Sequence, residues 1–227
     1  MKWHNLIAVA LFTVTGAFAQ TVAPVEGQDY TIVASSIAPL EQNKDKIEVV
    51  EFFSYVCSHC RNLDFVLREY TKKLPQDTVY RSEHIVWDEG MYMSLAKLKS
   101  TVSKLHLENQ LNAQIYKALF DDKKEIFEPK ILEAWLATQP GIDSKYFMEI
   151  YNSFATAADA NRMKELTKKH EVNATPIVIV GGKYQVVDSR NTQLITALVE
   201  KVRKERNMSD PQTLFTPKAS SPAIIFK

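Results

Sequence analysis

Cys57 and Cys60 are the only cysteines in the 227-residue chain, and they lie in the motif Cys57-Ser58-His59-Cys60. The mostly apolar run Ile47–Phe53 comes shortly before them and predicts a buried strand. A helix that opens at the first cysteine would place its sulfur among exposed N–H groups, at the end where the helix dipole favours negative charge. The thiolate is the reactive form of cysteine. The pattern therefore predicts thiol–disulfide exchange, with Cys57 as the nucleophile and Cys60 as the thiol that resolves a mixed disulfide.

The first nineteen residues have the features of a secretory signal peptide. Lys2 supplies a basic start, Leu6 to Val14 is apolar, and Ala17-Phe18-Ala19 fits the small-x-small cleavage pattern. We expect cleavage after Ala19 and export to the periplasm, an oxidising compartment in which a cysteine pair can persist as a disulfide. An uncleaved N-terminal anchor is the alternative, but the apolar run is shorter than the roughly 20 residues that span a bilayer.

The overall charge is close to balanced, with 28 basic and 27 acidic residues. Such a chain has no electrostatic reason to bind nucleic acid or an anionic membrane surface. Two cysteines also supply only two of the four ligands of a usual structural zinc site, so we expect no metal. The length suits one domain with an insertion.

Periodicity predicts a strand–helix core that a helical segment interrupts. The first elements are predicted as a strand, a strand, a helix and a strand: Tyr30–Val33, Ile47–Phe53, Cys60–Leu74 and Thr78–Val86. From about Gly90, apolar residues recur at helical spacing for roughly seventy residues. Strands at 176–180 and 184–187 follow, with Gly181-Gly182 as a two-residue hairpin turn, and a last helix spans 191–204.

Three local features in this order resemble the DsbA family of periplasmic thiol oxidases. They are the run Glu51-Phe52-Phe53-Ser54-Tyr55 before Cys57, His59 inside the cysteine motif, and Thr175-Pro176 before the late hairpin. The resemblance implies an α/β thioredoxin fold, a mixed central sheet with flanking helices, which carries an inserted all-helical domain. The implied division is a signal peptide at 1–19, a thioredoxin-like domain at 27–89 and 166–206, the helical insert at 90–165, and a C-terminal tail at 207–227.

The resemblance also implies roles for individual residues. Cys57 would attack and Cys60 would be the buried resolving thiol, while helix N–H groups or a cationic His59 would hold the Cys57 thiolate. Ser58 stands where the family usually carries proline, so we expect a shifted reduction potential. Glu51 would relay the proton of Cys60; a water-facing carboxylate or an ion pair is the alternative.

Two further positions are left with alternatives. Thr175 and Pro176 would form a cis peptide bond beside the active site and bind a substrate segment; a trans proline that opens a strand is the alternative. His84 at the end of a strand is interpreted either as a groove residue or as a satisfied or surface histidine. The tail, apolar at its end, is expected to be irregular; docking of this end onto an apolar groove is the alternative.

The predicted function is that of a monomeric oxidase without a cofactor other than its own Cys57–Cys60 disulfide. The resemblance implies that it donates this disulfide to newly exported proteins and is reoxidised by a DsbB-like membrane quinone reductase. A reductase or isomerase is the first alternative, although the stretch before the first strand is too short for a separate dimerisation domain. A metal-binding carrier module is the second, and a cysteine protease is disfavoured because a second thiol lies one turn away.

Overall fold

The structure is a computed structural model that describes residues 23–209 and residue 211. The predicted signal peptide at 1–19 lies outside the described residues, as does the predicted tail apart from residues 207–209 and 211. Among the helices of the described part, none has both the length and the apolar character needed to cross a membrane.

Five strands form one mixed sheet in the order β1-β5-β4-β2-β3. Strand β2 runs parallel to β3 and antiparallel to β4, and β5 pairs antiparallel with both β4 and β1. The elements in chain order are β1 Tyr30–Ile32, β2 Ile47–Phe53, α1 Ser58–Thr71, β3 Thr78–His84, α2 Met91–Lys104, α3 Glu108–Phe120, α4 Pro129–Leu136, α5 Ser144–Tyr151, α6 Phe154–Lys169, β4 Ile177–Val180, β5 Tyr184–Val186 and α7 Thr192–Glu205. The predicted order of strands and helices is thus confirmed.

The central position of β2 fixes the point from which the cysteine motif starts. All seven of its residues are buried, because strands pair with it on both sides and apolar side chains cover both faces. Val49 packs with Leu63 of α1 and Leu198 of α7 on one face. On the other face, Val50 and Phe52 lie in a second cluster. The carboxyl end of this strand is therefore held rigidly beneath the cysteines.

Helices α2–α5 pack into a core of their own that also reaches the cysteine motif. Leu98, Leu111 and Trp135 belong to this core, and so do Phe53 and Cys60 from the strand–helix part of the chain. The buried cysteine therefore lies at the junction of the two parts. Helix α6 runs across the predicted boundary between residues 165 and 166, and the division into domains stays a prediction.

Element boundaries differ from the predictions at a few points. Helix α1 begins at Ser58, two residues before the predicted start, because Cys57 is its N-cap. The hairpin between β4 and β5 has three connecting residues instead of two, since Lys183 N–H donates to the Val180 carbonyl and completes the turn. Gly182 has a φ of +72°, and a Cβ atom there would lie 2.1 Å from the Ile37 carbonyl oxygen. Only glycine fits at that position.

Candidate active site

Cys57 caps the N-terminus of α1 with its own sulfur. Its backbone is extended (φ −102°, ψ 115°), and its Sγ accepts a hydrogen bond from the Cys60 N–H at 3.2 Å. The same sulfur lies 3.5 Å from the Thr175 carbonyl oxygen. Cys57 is half-buried, Cys60 is fully buried, and both thiols are free. The accessible sulfur is thus the one that meets the helix N–H groups.

The pKa values of the two thiols are shifted in opposite directions. The pKa of Cys57 is lowered from 9.0 to about 5, mainly by a hydrogen bond from the Cys60 side chain. Hydrogen bonds from Thr175 and from the N–H groups of Cys60 and His59 lower this pKa further, whereas partial burial raises it. The pKa of Cys60 is raised well above its usual value by the same hydrogen bond and by burial. Near neutral pH, Cys57 is therefore a thiolate and Cys60 stays protonated.

The two residues between the cysteines face solvent. Ser58 and His59 are both exposed, and the group of His59 that reaches the Cys57 sulfur is its backbone N–H. A role for the His59 imidazole as a cation, and for Ser58 in the reduction potential, stays a prediction.

The segment before β4 supplies the other wall of the site. The Thr175–Pro176 peptide bond is cis, as the resemblance implied. Thr175 contacts the Cys57 sulfur through its carbonyl oxygen, and the Trp87 Nε1–H donates to the Val172 carbonyl at 2.7 Å a few residues earlier. The segment that leads to Pro176 is therefore fixed beside the nucleophile.

Glu51 lies on β2 and is buried, with 4% of its surface exposed, which excludes a carboxylate on a water-facing rim. Burial raises its pKa from 4.5 to about 7, against a hydrogen bond that the Tyr80 hydroxyl donates to its Oε2. The negative charge of Asp64 raises the pKa further, and the positive charge of Lys99 lowers it. Glu51 can therefore gain or lose a proton near neutral pH.

A cavity of about 1100 Å³ adjoins Glu51 on the β3 side of the sheet. Side chains from β3, α1, α2, α3 and α6 line it, including Tyr80, Asp64, Lys99, Glu108 and Arg162. No motif or spacing in the sequence marks any of these five as part of a site. Lys99 is 5% exposed, although its sequence neighbours give it the appearance of an ordinary helix-surface lysine. The alternation of side chains on β3 could have indicated two residues near Glu51, because it places Tyr80 and Ser82 on one face of the sheet.

His84 supports the loop that leads to Cys57. Its Nδ1–H donates to the Ile85 carbonyl at 2.7 Å, and its Nε2 accepts from the Tyr55 N–H at 3.1 Å. Burial lowers the pKa of His84 to about 3, so the ring is neutral in the form that both hydrogen bonds require. The interpretation of His84 as a satisfied histidine is confirmed.

The comparisons with known proteins agree with this geometry. The sequence pattern of the DSBA-like thioredoxin domain matches residues 48–200. The chain belongs to the DsbA-like thioredoxin family. A relative from Burkholderia cepacia, the thiol:disulfide interchange protein DsbA, is 30% identical over 169 residues, which cover 74% of this chain and 78% of that protein. Its counterpart from Bordetella parapertussis is 29% identical over 180 residues, covering 79% of this chain and 84% of that one.

Solved structures of DsbA proteins share the fold. The oxidoreductase NmDsbA1 from Neisseria meningitidis superimposes with a TM-score of 0.75 at 37% identity, covering 81% of this chain and 96% of that chain. The DsbA of Pseudomonas aeruginosa gives a TM-score of 0.71 at 27% identity, covering 80% and 95%. The predicted thioredoxin fold, an α/β arrangement with inserted helices, is confirmed by these likenesses.

Proposed function

We propose that the protein is a periplasmic thiol:disulfide oxidoreductase that donates its Cys57–Cys60 disulfide to reduced exported proteins. The observation that carries this proposal is the position of the Cys57 sulfur, which caps α1 and accepts the Cys60 N–H beside Thr175; these contacts lower the pKa of Cys57. A thiolate that is stable after the disulfide opens makes the opened form favourable, and a pair of this kind gives its disulfide away. The DsbA relatives support the same chemistry.

The reaction proceeds in two exchanges. A substrate thiolate attacks Cys57 Sγ, the Cys57–Cys60 bond breaks, and Cys60 leaves as a thiolate that takes a proton. A second substrate thiolate then attacks the substrate sulfur of the mixed disulfide, and Cys57 leaves as a thiolate. The substrate loses two electrons and gains a disulfide, and the protein becomes the dithiol.

Glu51 is the group that serves Cys60 in this scheme. Cys60 is fully buried, so the proton that it gains on opening and loses on closing has to pass through the protein. A buried carboxyl group whose pKa is about 7 can act in both directions at neutral pH. We assign Glu51 as the proton donor when the disulfide opens and as the acceptor when it closes.

The substrate segment would bind along Thr175 and Pro176. The Thr175 carbonyl faces the Cys57 sulfur, so a peptide whose cysteine reacts there passes beside this backbone. Main-chain hydrogen bonds of the kind that add a strand to a sheet edge would hold substrates of varied sequence.

The test is the reduction potential of the cysteine pair by equilibration with glutathione, together with oxidation of a reduced, unfolded protein that contains two cysteines. We expect a potential between about −180 and −120 mV, the range of strong thiol oxidants, and net disulfide formation in the substrate. A potential near that of thioredoxin, about −270 mV, would instead favour the reductase alternative. An insulin-reduction assay under the same conditions separates the two directions.

Location and reoxidation complete the proposal. The basic start and apolar stretch of residues 1–19 support export to the periplasm, with Gln20 as the first mature residue. A membrane quinone reductase of the DsbB type would restore the disulfide of a monomeric enzyme. Cell fractionation with N-terminal sequencing tests the first statement; the thiol state of the protein in cells without such a reductase tests the second.

A further inference from the structure

The bond between Tyr80 and Glu51 joins the two parallel strands of the sheet. In the register of β2 and β3, Glu51 pairs with Ser82 and Val49 pairs with Tyr80. Tyr80 is therefore the diagonal neighbour of Glu51 on the same face of the sheet. Its hydroxyl donates a hydrogen bond to Glu51 Oε2.

The position of Tyr80 is fixed at both ends of its side chain. Its ring packs against the cluster that α1 and α7 form on the sheet. Its hydroxyl, besides the bond to Glu51, interacts with the Ser82 hydroxyl, and this hydrogen bond favours the charged form of the phenol. Both hydroxyl-bearing residues line the cavity beside Glu51. Tyr80 thus connects a buried carboxyl group with a space that is large enough for many water molecules.

Other charged or titratable groups face Glu51 from every element around it. Those that interact with its charge are Asp64 of α1, Lys99 of α2, Tyr116 of α3, and Tyr55 and Cys57 of the loop before α1. Further charged groups line the cavity: Arg68 of α1, Arg81 and Glu83 of β3, Lys104 of α2, Glu108 of α3, and Asp159 and Arg162 of α6. Asp64 and Lys99 act on Glu51 through charge and in opposite directions, whereas Tyr80 acts through a hydrogen bond.

We propose that Tyr80 is a positioning residue of the redox site, whose hydroxyl holds Glu51 against the cavity in the carboxylate form that accepts the proton of Cys60. The inference rests on the proposed function. When the disulfide closes, Cys60 gives its proton to Glu51 and its thiolate attacks Cys57 Sγ. The Cys57–Cys60 bond forms, the mixed disulfide breaks, and the departing sulfur leaves as a thiolate. Glu51 then releases its proton to solvent through the cavity.

The experiment measures the closing step alone. The reduced full-length mature protein is mixed with oxidised glutathione, quenched with acid, and the decay of the Cys57–glutathione mixed disulfide is followed by mass spectrometry between pH 5 and 9. In the parent, closure should accelerate as Glu51 loses its proton. Tyr80→Phe removes a hydrogen bond that favours the carboxylate, so the midpoint should move up by about one pH unit, which slows closure about tenfold on the acid side.

Tyr184→Phe is the matched control. The Tyr184 hydroxyl also donates to a carboxylate, Glu205, but on β5 away from the cysteines. Its profile should coincide with that of the parent. A second control is Tyr80→Phe in the background of Glu51→Gln, where no carboxyl group remains to be shifted and the added substitution should have no effect on the profile.

Each outcome decides between the proposals. A Tyr80→Phe profile that coincides with the parent, or a shift that persists in the Glu51→Gln background, overturns the role of Tyr80 and leaves the proposed function in place. A parent that stops at the mixed disulfide overturns both.

Should Tyr80→Phe fail to fold, Ser82→Ala takes its place. It weakens the hydroxyl of Tyr80 as a donor without changing the ring, so the midpoint should move in the same direction by a smaller amount. An unchanged profile of Ser82→Ala then overturns the inference.

Discussion

The two cysteines lie three residues apart, yet their surroundings have opposite effects on their acidity. Cys57 is half-exposed, and its sulfur accepts a hydrogen bond from a backbone N–H group at the start of α1. Cys60 is fully buried in the core that the helices share with Phe53 and Tyr55. The first environment stabilises a charge and the second penalises it. Because both residues are cysteines, their different acidities come from how deeply each sulfur is buried and from the groups that contact it.

A similar contrast separates Thr175 from Glu51. Thr175, beside Cys57, contributes a carbonyl oxygen and a hydrogen bond and carries no charge. Glu51 is an ionisable group that lines a cavity with charged walls. Thr175 therefore offers the cysteine motif uncharged hydrogen-bonding groups, whereas Glu51 is a group that can gain or lose a proton.

The largest effect that separates the two sides comes from removing either sulfur. Cys57→Ser should lose all measurable disulfide exchange, because the buried Cys60 is inaccessible and protonated. Cys60→Ser should still attack disulfides but should accumulate mixed disulfides that no thiol resolves. Mass spectrometry after alkylation distinguishes these products. Exchange by Cys57→Ser at the parent's rate would contradict the assignment of the nucleophile.

Replacing the carboxyl group of Glu51 should slow only the closing of the disulfide. Glu51→Gln removes the group that we propose as the proton acceptor, and we expect closure of the internal disulfide to slow about tenfold to hundredfold near neutral pH. The alkylation rate of Cys57 in the same variant serves as the internal control and should stay close to that of the parent. Equal slowing of both steps would point to a general distortion of the site.

The acidity of Cys57 should appear as a pH dependence of stability. Its pKa falls from 9.0 to about 5 in the folded dithiol, so the thiolate stabilises the reduced form above pH 9 in full and this stabilisation is lost as the pH falls through about 5. The disulfide form has no such group. The difference in melting temperature between the two forms should therefore widen from pH 5 towards pH 9. A constant difference across this range would refute a low pKa for Cys57.

A smaller change is expected from the wall opposite the helix. Thr175→Val keeps the shape of the side chain and the backbone carbonyl but removes the hydroxyl group, whose hydrogen bond favours the Cys57 thiolate. The pKa of Cys57 should rise by roughly one unit or less, as followed by thiolate absorbance against pH. Thr196→Val on α7 is a suitable control, because its hydroxyl bonds to Tyr70 and Thr192. A rise in Thr196→Val as well would show that the effect is unspecific.

The smallest effect concerns the hydrogen bonds that join the loop before α1 to helices α3 and α1. The Tyr55 hydroxyl donates to Asn112 Oδ1 at 2.9 Å, and Asn112 donates in turn to Asp64 at 3.0 Å. Tyr55→Phe should lower the free energy of unfolding by about 1 kcal/mol, measured by urea denaturation, with little change at Cys57. Tyr146→Phe, at an exposed site, should be close to neutral. A loss in Tyr146→Phe as large as that in Tyr55→Phe would contradict this reading.

The sequence predicted the parts that depend on local patterns. The bounds of β2 agree with the prediction because a continuous apolar run is typical of a strand buried on both faces. The position of Cys57 at the start of a helix followed from the change of period after that strand. The cis bond before Pro176 agrees with the family resemblance, since the residues alone leave this isomer open.

The Glu51 environment could not be predicted in the same way. Whether Tyr80 or its neighbours reach Glu51 depends on the register of two strands that are about thirty residues apart in the chain. Lys99 lies at helical spacing from Leu95 and Val102 on the buried side of α2, but its charge favours an exposed position, so the sequence does not predict its burial. Long-range packing therefore decided the chemistry around Glu51, while local pattern decided that of Cys57.

The disulfide that Cys57 and Cys60 can form spans a single turn of α1 and closes a ring of four residues. A link between such near neighbours restricts the unfolded chain very little. The framework of sheet and helices therefore does not depend on the bridge for its integrity. The protein can therefore exchange its bond with one client after another while keeping its shape.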